Sequence, residues 1–418
     1  MSDTILIADA RAARRSAAAP GFWQRVARDR AVALLRRLTS GAILLRERGR
    51  DELLGDPRGA LGTVELNVHA PSFWSTLALG GSIGAGEAFV GGLWSTPDLV
   101  TLLRLLVRDR AVLLDVEAGW ASLPLRLVRR AAHWRRRNHR AGSERNIADH
   151  YDLGDDLFAR FLDPSMTYSS AWFEHPGQSL ADAQQAKLRR LCRLVDLAPG
   201  DRLLGIGTGG GSLACGAAGE FGAQVTTTAI SQNQFGAARR RVAAAGLSER
   251  VELRLQDYRD LDGTFDKLLS CEMVEAVGAR YLPTYLRVCA ERLRPGGLLG
   301  LQAITLRDQH YDRALGDVDY IQRHVFPGSF IPSVTAIVTA ATRHTDLRLV
   351  RMEDFGPHYA TTLQRWREAV EADPLPFLQR DPDGGLLRAW VYYFAYCEAG
   401  FRERNVGVCH LRFERAGA

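Results

Sequence analysis

The stretch RLLGIGTGGGSLACGAAGEFGAQVTTTAIS, residues 202–231, decides the fold of this chain. It opens with an apolar run typical of a buried strand at 202–206, passes through a glycine-rich loop, and continues as a helix to about Phe221. A second strand is predicted at 224–229. Strands that alternate with helices indicate a mostly parallel sheet with helices on both faces.

The same alternation continues downstream. It predicts a helix at 232–245, strands at 251–255 and 265–270, a helix at 281–293 and a strand at 298–304. The chain has 418 residues, of which 46% are hydrophobic and 24% charged. That length suggests two globular domains.

The glycine loop, residues 205–211, lies between a strand and a helix. Glycines let the backbone approach a ligand closely, and the helix N-terminus offers free N–H groups. A nicotinamide or flavin site would place an acid at the end of the second strand. That strand ends in Thr-Thr-Thr-Ala-Ile-Ser, 226–231, which disfavours a dinucleotide. A tight turn that holds no ligand is the other alternative.

The N-terminal part has a different pattern. Helices are predicted at 32–45 and 99–114, strands within 60–79, and turns at the glycines of 80–92. We expect no transmembrane helix, because no apolar run reaches about 18 residues. The first residues lack the apolar core of a secretory signal, so we expect a cytoplasmic protein. The six cysteines have no metal-ligand spacing, and we expect no metal.

Eight arginines lie between residues 126 and 145. Such a cluster could bind nucleic acid or an anionic membrane, or could form a solvated helix face or linker. No known nucleic-acid-binding module accompanies it, so we expect no nucleic-acid partner.

Five blocks of sequence carry a family resemblance. They are HYDLGDDLFARFLDPSMTYSSAWF at 150–173, QDYRDLDGTFDKLLSCEMVEAVGARYLPTYLRVCAERLRPGG at 256–297, YIQRHVFPGSFIPS at 320–333, FGPHYATTLQRW at 355–366 and YYFAYCEAGFRERNVGVCHLRF at 392–413. The chain resembles the cyclopropane-fatty-acyl-phospholipid synthase and fatty-acid C-methyltransferase family. The resemblance implies an α/β fold with a class I methyltransferase (Rossmann-like) domain at 149–418. It also implies a smaller N-terminal α+β lipid-binding domain at 1–125 and a basic linker at 126–148.

The resemblance further implies S-adenosylmethionine as the cofactor. By the same resemblance, the residues that hold it are Tyr151, Tyr168, Ser169, Gly207, Gly209, Ser231, Gln234 and Asp257, with Tyr258 beside the adenine. The loop departs from the family pattern, because Gly205 stands where an acid is expected, Thr208 where a cysteine is, Gly210 where a tryptophan is, and Ala229 where a threonine is. A lost charged hydrogen bond costs about 1.5–3 kcal/mol, so this loop predicts weakened cofactor binding.

The catalytic centre implied by the resemblance holds a bicarbonate ion. The ion would contact the backbones of Ser170 and Ile304 and the side chains of Glu275, Gln302 and Tyr359. The products that the family chemistry allows are a cyclopropane, a methylated alkene or a methyl branch. Gln302 replaces a histidine, which we expect to bias the outcome away from the cyclopropane ring. The alternatives are a capped or salt-bridged acid for Glu275 and a core tyrosine for Tyr359.

These observations predict methyl transfer to the double bond of unsaturated phospholipid acyl chains by an enzyme bound peripherally to the inner face of the membrane. A homodimer is also among the expected assemblies. Two alternatives stay open. One is a diverged member that oxidises, desaturates or isomerises acyl chains, and the other is a non-catalytic lipid-binding partner.

Overall fold

A computed structural model describes residues 19–111 and 155–417. The described residues divide into two compact units. The first contains 19–111, 319–321 and 363–403, and the second contains 155–318, 322–362 and 404–417. The arginine cluster and Tyr151 lie outside the described residues. No helix within the described ranges has both the length and the apolar character needed to cross a membrane.

The first unit contains a four-stranded mixed sheet in the order β2-β1-β3-β4. Strand β1 pairs antiparallel with β2 and parallel with β3. The predicted helix at 32–45 is wrong in its second half, because the apolar alternation there forms β1 instead. The N-terminal elements are α1 (Phe22–Leu35), β1 (Ala42–Glu47), β2 (Arg50–Gly55), β3 (Thr63–Val68), α2 (Ser72–Val90), β4 (Trp94–Ser95) and α3 (Leu99–Arg108).

The glycines predicted to form turns are instead mostly helical, in α2. Gly81 alone leaves helical geometry, with φ +58°. A Cβ added at Gly84 would lie 2.2 Å from the carbonyl oxygen of Thr76, and one at Gly86 would lie 2.6 Å from the ring of Tyr320. These two glycines therefore permit close packing, a role that glycine fills as readily as it fills turns.

Residues 363–403 pack with the N-terminal segment, which differs from the predicted division at 1–125 and 149–418. Helix α14 contacts α2 and α3 and buries Trp390, Tyr392 and Phe394. Glu403 accepts hydrogen bonds of 2.7 Å from both Arg104 and Arg108. An aromatic helix face of this kind must be buried, and the two N-terminal helices bury it. The elements are α12 (Gly356–Ala372), whose second half belongs to this unit, α13 (Leu375–Arg380) and α14 (Gly385–Arg402).

The second unit contains a seven-stranded sheet in the order β10-β11-β9-β8-β5-β6-β7. Strands β5 to β9 pair in parallel, while β11 runs antiparallel to β9 and β10. The predicted α/β class is confirmed. Its strands are β5 (Arg202–Ile206), β6 (Gln224–Ala229), β7 (Val251–Leu255), β8 (Phe265–Cys271), β9 (Leu293–Leu306), β10 (Leu347–Asp354) and β11 (Val406–Arg415).

Strand order reverses direction at β5, whose neighbours are β6 on one side and β8 on the other. In open sheets of this kind the ligand crevice lies at the carboxyl ends of the strands where the order reverses. The helices here are α4 (Asp155–Phe158), α5 (Leu180–Leu194), α6 (Ser212–Glu220), α7 (Gln232–Ala244), α8 (Leu282–Arg292), α9 (Asp308–Gly316), α10 (Tyr320–His324), whose first two residues belong to the first unit, and α11 (Val334–His344).

Candidate active site

The glycine loop follows β5 at the predicted ligand crevice. Gly207, Gly209 and Gly211 have φ of +94°, +53° and +86°, which favour glycine. A Cβ added at Gly209 would meet no described atom within 4 Å, so the loop faces open space there. At Gly207 an added Cβ would lie 3.3 Å from the side chain of Met273. The loop therefore offers backbone to a ligand and contacts the segment that follows β8.

Two threonines occupy the space beside Gly205, where the resemblance leads us to expect an acid. Thr227 Oγ1 donates to the Gly205 carbonyl oxygen at 3.1 Å and lies 2.8 Å from Thr208 Oγ1. Thr227 and Thr208 are buried. A Cβ added at Gly205 would lie 2.8 Å from Thr227 Oγ1. The space beside Gly205 is thus filled by two hydroxyl groups, that of Thr227 on the neighbouring strand and that of Thr208 in the loop.

The predicted cofactor residues after β6 and β7 lie at the same edge of the sheet. Ser231 caps α7 by accepting from the Gln234 backbone N–H at 3.4 Å. Asp257 accepts from the Arg259 backbone N–H at 2.9 Å and pairs with its guanidinium. Tyr258 differs from the prediction, because its ring is buried and packs edge-on against Tyr285 in the core.

Residues 168–173 run beside β8. The Tyr168 ring packs against Phe158 and Phe326 with centroid distances of 5.3 and 6.3 Å. Ser169 is buried, and its hydroxyl accepts a 2.7 Å hydrogen bond from the buried ammonium of Lys187. That bond gives Ser169 a role in fixing the backbone whether or not it also contacts the cofactor.

Glu272 joins three of the predicted catalytic residues, although it was not itself predicted. One carboxylate oxygen accepts from the Ser170 backbone N–H at 2.9 Å and from Gln302 Nε2 at 2.7 Å. The other accepts from the Tyr359 hydroxyl at 2.8 Å. Ser170, Gln302 and Tyr359 are buried, while Glu272 keeps some accessible surface. The carboxylate therefore has three donors and remains in reach of a ligand.

The surroundings set the protonation of Glu272. Burial raises the pKa of Glu272 above its ordinary value, and its three hydrogen bonds and the charge of Lys187 act in the opposite direction. The sequence did contain a signal for this residue, since an acid directly after a buried parallel strand lies at the ligand edge of the sheet. The family pattern drew attention instead to the acid three residues later.

Gln302 is oriented by a histidine from the neighbouring strand. His410 on β11 is fully buried, and its Nε2 lies 2.9 Å from Gln302 Oε1. Burial lowers the pKa of His410 to about 3, so the ring is neutral and donates through Nε2. The amide nitrogen of Gln302 is thereby directed at Glu272. The histidine that the resemblance expects at 302 is absent, and this pair holds a donor at the same place.

Glu275 lies beside Ile304, another of the predicted site residues. Its Oε1 accepts from the Ile304 backbone N–H at 2.5 Å, and its buried Oε2 has no hydrogen-bond partner among the described residues. Burial and the charge of Glu272 raise the pKa of Glu275 to about 8. Glu275 is therefore mostly protonated at neutral pH. The Tyr359 hydroxyl bonds Glu272, and Glu275 bonds the backbone of Ile304, so both side chains belong to the same cluster of predicted site residues.

The described residues fit S-adenosylmethionine. Open space in front of Gly209 and the N-terminus of α6 match the methionine part, and polar side chains after β6 and β7 match the ribose and adenine. Bicarbonate does not fit, because four of its five predicted contacts are taken: Ser170 N–H, Gln302 Nε2 and the Tyr359 hydroxyl donate to Glu272, and Ile304 N–H donates to Glu275. Only Glu275 Oε2 is left. No cluster of metal-ligating side chains occurs within 19–111 and 155–417.

Known proteins share this arrangement of sequence and fold. A sequence model of the family described as mycolic acid cyclopropane synthetase matches residues 138–411. The chain belongs to this family. It is 38% identical to the tuberculostearic acid methyltransferase UfaA1 of Mycobacterium tuberculosis over 383 residues, covering 87% of this chain and 85% of that protein. It is 33% identical to the cyclopropane-fatty-acyl-phospholipid synthase of Escherichia coli K12 over 360 residues, covering 84% and 88%.

Solved structures agree with the family assignment. The cyclopropane synthase MmaA2 of Mycobacterium tuberculosis superimposes with a TM-score of 0.60 at 26% identity, covering 65% of this chain and 98% of that one. The mycolic acid cyclopropane synthase CmaA1, complexed with S-adenosylhomocysteine, superimposes with a TM-score of 0.58 at 26% identity and the same coverage. The protein is an S-adenosylmethionine-dependent methyltransferase that acts on lipid acyl chains. The two alternatives without methyl transfer are therefore disfavoured.

The threonine pair makes Gly205 sensitive to substitution. We expect Gly205→Ala to lower the free energy of unfolding by about 1–3 kcal/mol, because the added methyl overpacks the buried Thr227. Adding Thr227→Gly should recover part of the loss. Gly216→Ala, in α6 with no described atom within 4 Å of the new methyl, is the control. Urea unfolding measures all three, and equal stability of Gly205→Ala and Gly216→Ala would contradict the packing.

Tyr359→Phe tests the hydrogen bond to Glu272. We expect turnover to fall about 10- to 100-fold, since a hydrogen bond to a charged group is worth about 1.5–3 kcal/mol. Calorimetric binding of S-adenosylhomocysteine should not change. Tyr311→Phe is the matched control, because its half-buried hydroxyl makes no hydrogen bond with described residues. A normal turnover in Tyr359→Phe would show that this bond does not serve the reaction.

Glu275→Gln tests the raised pKa of Glu275. Between the ordinary carboxyl pKa of 4.5 and about 8, the native state keeps a proton that the unfolded chain has lost. The free energy of unfolding therefore falls as pH rises through this window. Glutamine cannot ionise, so we expect a flatter profile and greater stability near pH 8. Thermal unfolding across pH measures this, with the exposed Glu249→Gln as control, and parallel profiles for Glu275→Gln and wild type would refute the shift.

Proposed function

We propose that this methyltransferase acts on the cis double bond of unsaturated acyl chains in phospholipid, at the inner face of the membrane. The observation that carries the proposal is the carboxyl pair Glu272 and Glu275 beside the glycine loop. Met273, between them, lies against Gly207 of the loop. Anionic and polar groups are thus held where the cofactor methyl and an acyl chain would meet.

The chemistry of an alkene explains why such groups are useful. S-adenosylmethionine supplies a methyl group with the character of a cation. A double bond that accepts this methyl is left with positive charge on the other carbon of the pair. The carboxyl group of Glu272, which accepts three hydrogen bonds, stabilises that charge, and the neutral Glu275 and Gln302 add oriented dipoles. The site needs no nucleophilic side chain for this reaction.

Phospholipid as the substrate is supported by the relative from Escherichia coli, whose name specifies fatty-acyl-phospholipid. It is also supported by the N-terminal unit, where Phe22 and Trp23 at the start of α1 are 62% and 77% exposed. Aromatic side chains of this kind favour the interface between water and lipid. The exposed Arg25 follows them, and a near-surface arginine adds about 1 kcal/mol of attraction to an anionic membrane. A homodimer stays a prediction.

The product is set by which proton the charged intermediate loses. Loss from the new methyl group closes a cyclopropane ring, whereas loss from a neighbouring chain carbon gives a methylated alkene that a later reduction would convert to a methyl branch. We propose the open-chain product, because Gln302 with His410 replaces the histidine that the resemblance expects. The sequence relatives include both a cyclopropane synthase and a methyltransferase by name.

A deuterated methyl label tests substrate and product together. We expect S-adenosylmethionine with a CD3 group to label oleoyl phospholipid in vesicles more than free oleate or an oleoyl thioester. Mass spectrometry of the released fatty acids should show three deuteriums retained, because the lost proton comes from the chain. Retention of two with a ring in the NMR spectrum would replace the open-chain product by a cyclopropane. Label confined to the thioester would overturn the phospholipid substrate.

Membrane association has its own test. We expect Phe22→Ser with Trp23→Ser to reduce co-sedimentation with anionic vesicles by about 10-fold or more, since each buried aromatic contributes on the order of 1.5–3 kcal/mol. High salt should weaken binding of the wild type. Leu53→Ser, at an exposed leucine in β2, is the control. Binding that ignores both the aromatic pair and salt would argue against this surface.

A further inference from the structure

We propose that Glu272 is the proton acceptor of the reaction, so that the chain itself supplies the anion which the family resemblance assigns to bicarbonate. This inference rests on the proposed function, because it names the base for the charged intermediate formed from the double bond. With Glu272 as the base, the reaction needs no dissolved bicarbonate, because the protein itself accepts the proton.

The donor set is the first support. Ser170 N–H, Gln302 Nε2 and the Tyr359 hydroxyl converge on one carboxylate at 2.9, 2.7 and 2.8 Å. A carboxylate and a bicarbonate present the same planar O–C–O group to such donors. With these donors engaged by Glu272, and with Ile304 N–H engaged by Glu275 Oε1, a separate anion has only Glu275 Oε2 left of the five predicted contacts. Two anions in one small buried cluster would also repel each other.

The backbone of Glu272 is the second support. It is the first residue after β8 and has φ +48°, a left-handed conformation that is uncommon for residues other than glycine. Its N–H donates to the Gln302 carbonyl oxygen at 2.8 Å, which holds it in that conformation. Such strain costs about 1–3 kcal/mol and clusters at functional sites. Here it turns the side chain toward the donors from β9 and α12.

The charges around Glu272 suit a base. Lys187 is fully buried and its charge favours the ionised form of Glu272, whereas burial of Glu272 itself opposes ionisation. His410 is neutral. Burial raises the pKa of Glu272 above that of an exposed carboxyl, and a higher pKa makes the carboxylate a stronger proton acceptor. Glu272 therefore combines three hydrogen-bond donors with some accessible surface, and its protonated neighbour Glu275 lies three residues away.

The step balances without a further reactant. After the methyl has joined one carbon of the double bond, the other carbon carries one positive charge. A lone pair of Glu272 takes a proton from a carbon adjacent to the charged one, and the electron pair of that C–H bond forms the new C=C bond. The chain becomes neutral and Glu272 becomes a carboxylic acid. Because Glu272 keeps accessible surface, it can return the proton to water after the product leaves.

Bicarbonate dependence of methyl transfer is the direct test, with any acyl substrate that the wild type methylates. We expect wild-type turnover in buffer freed of carbon dioxide to be unchanged by added bicarbonate. Glu272→Gln keeps the size of the side chain but cannot accept the proton, so turnover should fall by about 100-fold or more. Glu249→Gln, an exposed acid in the same unit, is the control. A bicarbonate requirement in the wild type, or normal turnover in Glu272→Gln, would overturn the proposal.

Glu272→Gly gives a complementary result. Glycine accepts the positive φ without strain and leaves all three donors free to bind an anion. We therefore expect a low basal turnover that bicarbonate raises at least 10-fold, which is part of the roughly 100-fold or more that a general base contributes. If the variant is folded and bicarbonate does not restore its turnover, then bicarbonate does not use the donors that bind Glu272, and the proposal is contradicted.

Binding of ¹³C-bicarbonate, followed by NMR without any lipid, separates this proposal from the proposed function. We expect binding to Glu272→Gly and none to the wild type. Binding to the wild type would overturn the proposal whatever the lipid substrate. If no phospholipid is methylated but the binding difference is found, the substrate assignment fails while the donor set of Glu272 stands.

Discussion

The structure of the catalytic unit depends on one half-buried carboxylate, that of Glu272. Its three donors come from the segment before α5, from β9 and from α12, which are distant in sequence. Each donor is buried and would lose a hydrogen bond if the acceptor were absent, at a cost of about 1–3 kcal/mol for each group. The carboxylate therefore fixes the positions of these three parts of the chain relative to one another.

Two further pairs in this unit replace single residues of the family pattern. Gly205 with Thr227 stands where the resemblance expects an acid, and Gln302 with His410 stands where it expects a histidine. In both pairs the second residue lies on the adjacent strand. Packing on neighbouring strands makes such changes interdependent, because a smaller or neutral residue at one position leaves space or a free hydrogen bond for the other. The altered glycine loop is therefore compatible with a retained cofactor site.

The N-terminal unit shows why glycine is ambiguous in a sequence. The predicted turns at 80–92 lie mostly in a helix, since Gly84 and Gly86 are needed where other atoms approach too closely for a Cβ. The same residue type serves positive φ in the glycine loop after β5. Local sequence gives no means of separating the two uses, because close approach depends on residues such as Tyr320 that lie far along the chain.

The sequence by itself determined the α/β class, the positions of β5 to β8 within a residue, and the family. Periodicity of apolar residues is local, and long motifs in a fixed order are specific, so neither needs a tertiary structure. The tertiary structure alone decided that residues 363–403 pack with the N-terminal unit, that Tyr258 lies in the core, and that Glu272 takes the donors assigned to bicarbonate. These outcomes depend on which side chains meet across strands and helices. Glu272, three residues before the expected acid, meets its donors at a position where the backbone after β8 is left-handed, and local sequence does not reveal such a conformation in a residue other than glycine.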